Sequence, residues 1–304
     1  VRTAVLLMAY GTPRTLDDVE AYFTHIRRGR RPSAEEVEAL RERYRRIGGA
    51  SPLREITEAQ ARGLQSALDR KAPGRFRVYL AMKHSEPFVS DVAHQLVSEG
   101  WRQVVALVLA PHESRMIVDE YLEYAHPAFE RAQDLDVRVV RSWYRNPGYL
   151  TALERRVRAA LAAFADPRPE ATEVLFTAHS LPERILEWND PYPAQLRETG
   201  EALAGRLGLQ RWRVCYQSAG HTPFPWLGPD VLEVLEELAA AGARQVLAVP
   251  VGFTADHLEV LYDLDVEAAE RARALGLAFR RTESLNADPE FLDALADEVI
   301  RAAA

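Results

Sequence analysis

EVLFTAHSLPE, residues 173–183, decides the architecture. Its first half is a short apolar run without alternation, the composition of a strand buried on both faces. Its second half is a polar exit, His179-Ser180, closed by Leu181-Pro182-Glu183. Runs of the same kind recur on both sides of it, at 3–10, 76–83, 103–110, 137–143, 212–217, 245–252 and 277–283. Longer amphipathic stretches lie between them, among them 15–27, 34–47, 54–71, 87–99, 150–164, 194–206, 230–242 and 287–303. Asn286-Ala287-Asp288-Pro289-Glu290 carries a cap and an early proline, a helix start. Strands alternating with helices predict an α/β protein with parallel sheets.

Four strands precede residue 150 and four follow it in the same alternating order. The chain therefore reads as two doubly wound halves, 1–148 and 149–304, each a four-stranded parallel sheet flanked by helices. Its 304 residues suit two such domains. The join falls at Asn146-Pro147-Gly148 or at Asp166-Pro167-Arg168-Pro169, and no sequence repeat links the halves. The last helix, 287–304, is a candidate to pack back on the first half.

The composition narrows the function classes. Apolar residues make up 47% and charged residues 27%, ordinary values for a globular chain. A net charge of −7 argues against a general nucleic-acid binder. The single cysteine, Cys215, cannot form an internal disulfide or supply the thiolates of an iron–sulfur cluster. It reads as a small buried strand residue in a cytosolic protein. No apolar run approaches the 18 residues of a membrane span. The opening VRTAVLLMAYGTP is too short for a signal peptide and reads as the first core strand.

In doubly wound sheets ligands bind outside the carboxyl ends of strands. The residues to inspect are therefore Tyr10, Lys83-His84, Pro111-His112, His179-Ser180, Ser218 and Phe253 to Glu259. No GxGxxG or GxxxxGK[ST] follows any strand, which speaks against a nucleotide enzyme. His179 at a strand end can bind a metal or accept a proton near neutral pH, and it equally fits a hydrogen-bonded structural role. Ser180 beside it lacks the G-x-S-x-G elbow of a hydrolase.

Glu259, Asp263 and Glu267 recur at i, i+4 and i+8 directly after the strand at 245–252. On a helix they share nearly one face, about 6 Å apart along the axis. Such a row is either a solvated acidic face or a path for a hydrated divalent cation. Arg27-Arg28-Gly29-Arg30-Arg31, with Arg43-Tyr44 and Gly48-Gly49-Ala50-Ser51-Pro52, is either solvated surface or a clamp for carboxylates. Tyr10 offers a ring and a phenol to a flat aromatic ligand. Trp226, in the stiff loop Gln217 to Pro229, suits core packing or ligand contact alike.

Together these segments resemble the ferrochelatase family, and its Gram-positive-type coproporphyrin branch in particular. The resemblance rests on MAYGTP (8–13), THIRRGRRP (24–32), RYRRIGGASPL (43–53), AMKHSEPF (81–88), VLAPHES (108–114), TAHSLPE (177–183), QSAGHTPFPWLGPD (217–230) and PVGFTADHLEVLYDLD (250–265). It implies two Rossmann-like, chelatase-type domains facing a porphyrin cleft. It implies that His179 and Glu259 face each other and handle iron, as catalytic and metal-binding residues. Asp263 and Glu267 would continue the acidic line on a helix widened into π geometry. Tyr10 would meet the porphyrin centre from the opposite face and ligate iron in the product. Arg27, Arg43, Tyr44, Ser51 and Tyr121 would hold the propionates and ring edge, while His84, Ser218 and Trp226 would line the cleft.

Ala219 and His221 depart from the polar, less basic lip that the family pattern leads one to expect. The C-terminal cysteine extension of cluster-bearing members is missing. The resemblance implies insertion of ferrous iron into coproporphyrin III, with protoporphyrin IX the alternative porphyrin. It implies no resident cofactor, Fe²⁺ as substrate, a cytoplasmic monomer, and transient contacts with neighbouring haem-pathway enzymes. Rival readings are a cobalt or nickel chelatase, which would rely on paired histidines, and a porphyrin or haem carrier, which would have no use for the acidic line.

Overall fold

The computed structural model describes residues 2–132, 134–220 and 222–304. Apolar runs that cannot tolerate a wet face need cover on both sides, and each run is a parallel strand between helices. The first sheet contains β1 (Thr3–Ala9), β2 (Phe76–Met82), β3 (Gln103–Val108) and β4 (Asp136–Val140). The second contains β5 (Thr172–His179), β6 (Trp212–Gln217), β7 (Gln245–Val249) and β8 (Ala278–Arg281). Their orders, β2-β1-β3-β4 and β6-β5-β7-β8, are the same winding repeated. Every residue of β1, β3 and β7 is buried, whereas the edge strands β4 and β8 are largely half-exposed.

Some boundaries differ from the sequence expectation. The strand expected over 245–252 ends at Val249, since Pro250 has no N–H for the ladder. Those expected over 137–143 and 277–283 are likewise shorter, as edge strands paired on one side only.

In chain order the helices are α1 (Val19–Ile26), α2 (Ala34–Arg46), α3 (Leu53–Lys71), α4 (Val89–Ser98), α5 (Glu120–Phe129), α6 (Pro147–Ala162), α7 (Tyr192–Leu207) and α8 (Val231–Ala240). The short α9 (Leu258–Leu261), α10 (Ala269–Ala274) and α11 (Pro289–Ala302) follow. Two segments are widened into π geometry. Arg115–Asp119 opens α5, and Asp263–Ala268 joins α9 to α10. Asp288 caps α11 by accepting from the N–H groups of Glu290 and Phe291, with Pro289 in the first turn.

The halves share one core. A single cluster of buried side chains runs from Val5, Leu7 and Leu64 in the first half to Phe176, Leu247 and Leu292 in the second. α11 packs on α3 and α6, and Lys71 and Arg70 pair with Asp297 and Asp293 at 2.6 Å. Arg75 and Arg138 reach the carbonyls of Ala303 and Ala302. Among the described residues no helix is long and apolar enough to cross a membrane.

In each sheet the direction of winding reverses at the first strand, between β1 and β3 and between β5 and β7. That reversal opens a crevice at the strands' carboxyl ends. The exits of β5 and β7 therefore lie side by side, although 70 residues or more separate them in sequence.

Candidate functional site

His179 is the last residue of β5, and Glu259 sits in the first turn of α9, after the β7 exit. The imidazole Nε2 lies 3.3 Å from Glu259 Oε1. Nδ1 faces the carbonyl of Ser180, which can only accept, so Nδ1 carries a proton and Nε2 is the nitrogen presented to the carboxylate. The other Glu259 oxygen lies 3.5 Å from His257 Nε2, and His257 Nδ1 donates to the Ala255 carbonyl at 2.9 Å. Glu259 is thus held between two imidazoles. Its backbone carbonyl accepts from Gln217 Nε2 at 2.7 Å, and Gln217 in turn accepts from Thr177, two residues before His179. The end of β6 therefore ties His179 and Glu259 to one frame.

The electrostatics follow from that pairing. Burial opposes a charged imidazole at His179, but the Glu259 carboxylate beside it wins and raises the pKa to about 9. Burial alone would lift Glu259; His179 and His257 hold it well below the usual carboxylate range instead. The resting pair is an imidazolium and a carboxylate.

Asp263 lies in the π segment, one turn beyond Glu259, and is 6% exposed. It accepts from Arg43 and from Ser218, whose φ of +62° turns the β6 exit toward it. Burial, reinforced by the charge of Glu259, still raises its pKa to about 6 despite Arg43. Glu267 is exposed, so the acids run from the half-buried Glu259 through buried Asp263 to solvent. The π geometry bears on this line. Val266 and Glu267 both donate to the Tyr262 carbonyl, so the turn between Asp263 and Glu267 closes at i+5 as well as at i+4. Among the described residues no three His, Cys, Asp or Glu side chains converge as a metal chelate. His179 and Glu259 offer two donors and an open face.

Tyr10, leaving β1, is 39% exposed. The walls around it, then the charge of Glu259, push its phenol well above the ordinary value. Its ring meets His84 edge-on at 4.6 Å. His84 is buried and shares a 2.9 Å Nδ1 to Nδ1 contact with His25. Burial, then Lys83 and His25, lower its pKa to about 3, so the imidazole is neutral. Behind it Lys83 pairs with Glu120 at 2.7 Å, and its ammonium stands 5.2 Å from the ring of Tyr121.

The residues expected to hold propionates already have protein partners. Arg27 pairs with Glu36 at 2.6 Å, and Arg43 with Asp263 while lying 4.7 Å from the Tyr262 ring. Tyr44 is buried and touches Thr12 Oγ1 at 3.4 Å, and Ser51 accepts from the Leu53 N–H at the start of α3. Trp226 is half-buried over Gly220, where a Cβ would lie 2.4 Å from the indole. Its Nε1 donates to Thr222 at 2.7 Å. His221 lies outside the described residues. Phe224 on the same loop is 70% exposed.

A cavity of about 1070 Å³ opens between α1 and α5, lined by His25, Arg28, Glu123 and Tyr124 among others. Neither His179 nor Glu259 lines it. His25, Lys83, Gln217 and His257 belong to the constellation; Lys83 and His257 stand among the strand-exit residues to inspect, but the motifs gave none of the four a role. Each lies within two residues of one that was given a role.

A family model described as ferrochelatase matches residues 2–303. The chain is 45% identical over 296 residues to a protein of Herpetosiphon aurantiacus named ferrochelatase, covering 97% of each chain. It is 43% identical over 299 residues to the coproporphyrin III ferrochelatase of Geobacillus thermodenitrificans, covering 98% of this chain and 95% of that one. For the Bacillus subtilis protein of the same name the figures are 42% over 302 residues, 99% and 97%. Among solved structures, SirB from Bacillus subtilis with Fe3+ superimposes at a TM-score of 0.63 with 12% identity, covering 100% of this chain and 96% of that one, which shows a common fold.

Proposed function

The chain belongs to the ferrochelatase family, and from that premise we propose that it inserts Fe²⁺ into coproporphyrin III. The observation that carries the chemistry is the His179–Glu259 pair at the β5 and β7 exits. Insertion replaces two pyrrole N–H bonds with bonds to iron and releases two protons. A resting imidazolium cannot accept one. A divalent cation arriving at Glu259 drives the Nε2 proton of His179 out to solvent along the acidic line, and the neutral imidazole then takes the two pyrrole protons in turn, releasing each by the same route. Asp263, with a pKa of about 6, passes protons on toward exposed Glu267.

Tyr10 meets the ring from the other side, where Lys83 and Glu120 fix the wall behind it. Arg27, Arg43, Tyr44 and Ser51 take the propionates, Arg43 exchanging Asp263 for substrate. Contacts remote from the metal centre then offset the strain of a bent macrocycle. Imidazole and carboxylate suit Fe²⁺ and other divalent ions alike.

The substrate assignment is supported by the relatives named for coproporphyrin III and by Tyr10, which the family resemblance associates with that porphyrin. Fe²⁺ is substrate and no resident cofactor is called for. We place the enzyme in the cytoplasm as a monomer in transient contact with neighbouring haem-pathway enzymes, a setting in which the buried thiol of Cys215 stays reduced. Turnover on coproporphyrin III and protoporphyrin IX, compared anaerobically, tests the substrate. Higher kcat/KM on coproporphyrin supports the assignment, and equal or higher kcat/KM on protoporphyrin overturns it.

A further inference from the structure

Asp190 lies in neither the metal line nor the porphyrin wall, yet its buried carboxylate joins the two. It is 7% exposed. One oxygen accepts from Ser114 Oγ at 3.0 Å and from the Arg115 N–H at 2.9 Å, both at the first-half segment that opens α5. The other accepts from the Tyr192 N–H at 3.1 Å, in the first turn of α7. One carboxylate thus accepts donors from two helix starts at once.

Each of those helices carries part of the cleft. Ser114 also accepts from the Met116 N–H, so it caps the π-opened segment leading to Glu120 and Tyr121. Tyr192 is buried, and its phenol donates to the backbone carbonyl of His179 at 2.9 Å. A shift of Asp190 would therefore move the Lys83–Glu120 wall and the imidazole relative to each other. Two flanking contacts keep the same surfaces in register. The Glu113 N–H donates to Gln195 at 2.7 Å, and His112 Nε2 meets Thr199 Oγ1 at 2.9 Å.

We propose that Asp190 is a positioning residue for iron insertion, a latch that sets the distance between the wall on α5 and His179 and so holds the porphyrin in its strained pose. This rests on the function proposed above. Misplacing reacting groups by about 1 Å can cost 10²-fold in rate, so the spacing between wall and imidazole bears directly on turnover.

The test compares Asp190→Asn and Ser114→Ala with wild type in anaerobic Fe²⁺ insertion and in the visible spectrum of bound coproporphyrin III before iron is added. An asparagine turns an amide donor toward either Tyr192 or the Ser114–Arg115 pair, so it cannot satisfy both. The expected result for Asp190→Asn is a fall in kcat of about 10- to 100-fold, a smaller change in porphyrin KM, and a shifted band for the bound porphyrin. Ser114→Ala should move kcat and band the same way by less, and it decides the matter if Asp190→Asn does not fold. A lowered melting temperature with wild-type kcat per folded molecule and an unshifted band would overturn the latch. The wild-type rate reads the proposed function and the variant spectra read the latch, so failure of one does not imitate failure of the other.

Discussion

His179 and Glu259 each set the protonation of the other, and that coupling is measurable residue by residue. Replacing Glu259 with glutamine removes the charge that outweighs burial. The His179 pKa, followed by NMR of its ring, should then fall from about 9 to below the ordinary histidine value. An unchanged pKa would show that the pair is not coupled. The same shift links stability to pH. Because the folded state holds the proton more tightly than the unfolded chain, the stabilisation is complete below about pH 6.5 and lost as pH rises through about 9. Wild type should therefore lose more stability than Glu259→Gln between pH 7 and 10 in urea titrations. Equal losses would contradict the linkage. At this scale the sequence was informative about identities and poor about partners. His179, Glu259 and Asp263 stand in motifs that can be read, whereas Arg43 meets Asp263 across 220 positions. No local pattern announces a pairing at that separation. Read alone, the arginine looks free to bind substrate.

The elements deliver these groups, and at the end of β5 the fit is close against backbone. A Cβ on Gly252 would lie 2.5 Å from Ala178 Cβ and 2.8 Å from Ala178 Cα, next to His179. Backbone on that side cannot yield as a flexible side chain would. Gly252→Ala should cost about 1–3 kcal/mol in denaturant unfolding and lower kcat by displacing His179. Full stability with full activity would show that the strand end gives way freely. Strands were the legible part of the fold, because runs such as Val104 to Val108 are apolar throughout and so require cover on both faces. α5 was absent from the expected helices. Pro127 lies inside it and reads as a breaker, and the π segment before it spoils the 3.6-residue period. The widening at Asp263–Ala268 came from family resemblance, since spacing at i, i+4 and i+8 fits an ordinary helix as well.

The two sheets share a winding, but the molecule is held as one body by α11 and the core common to both halves. Leu295 is 1% exposed within that core, and Leu295→Ala should cost about 2–5 kcal/mol. Unfolding followed by tryptophan fluorescence and by far-UV circular dichroism should give coincident transitions, and separated ones would show that the halves melt independently. The four-plus-four strand count could be read from the chain; the fusion of the cores could not, because it depends on which faces of α6 and α11 meet both sheets. On the function proposed above, the cleft at these strand exits metallates a porphyrin through His179. The most direct test is anaerobic incubation of the purified protein with coproporphyrin III and Fe²⁺, followed by the visible spectrum with His179→Ala alongside. Rapid conversion to the iron porphyrin by wild type, at least 100-fold slower in the variant, is the predicted result. Tight porphyrin binding without conversion, or equal conversion by both proteins, would contradict it.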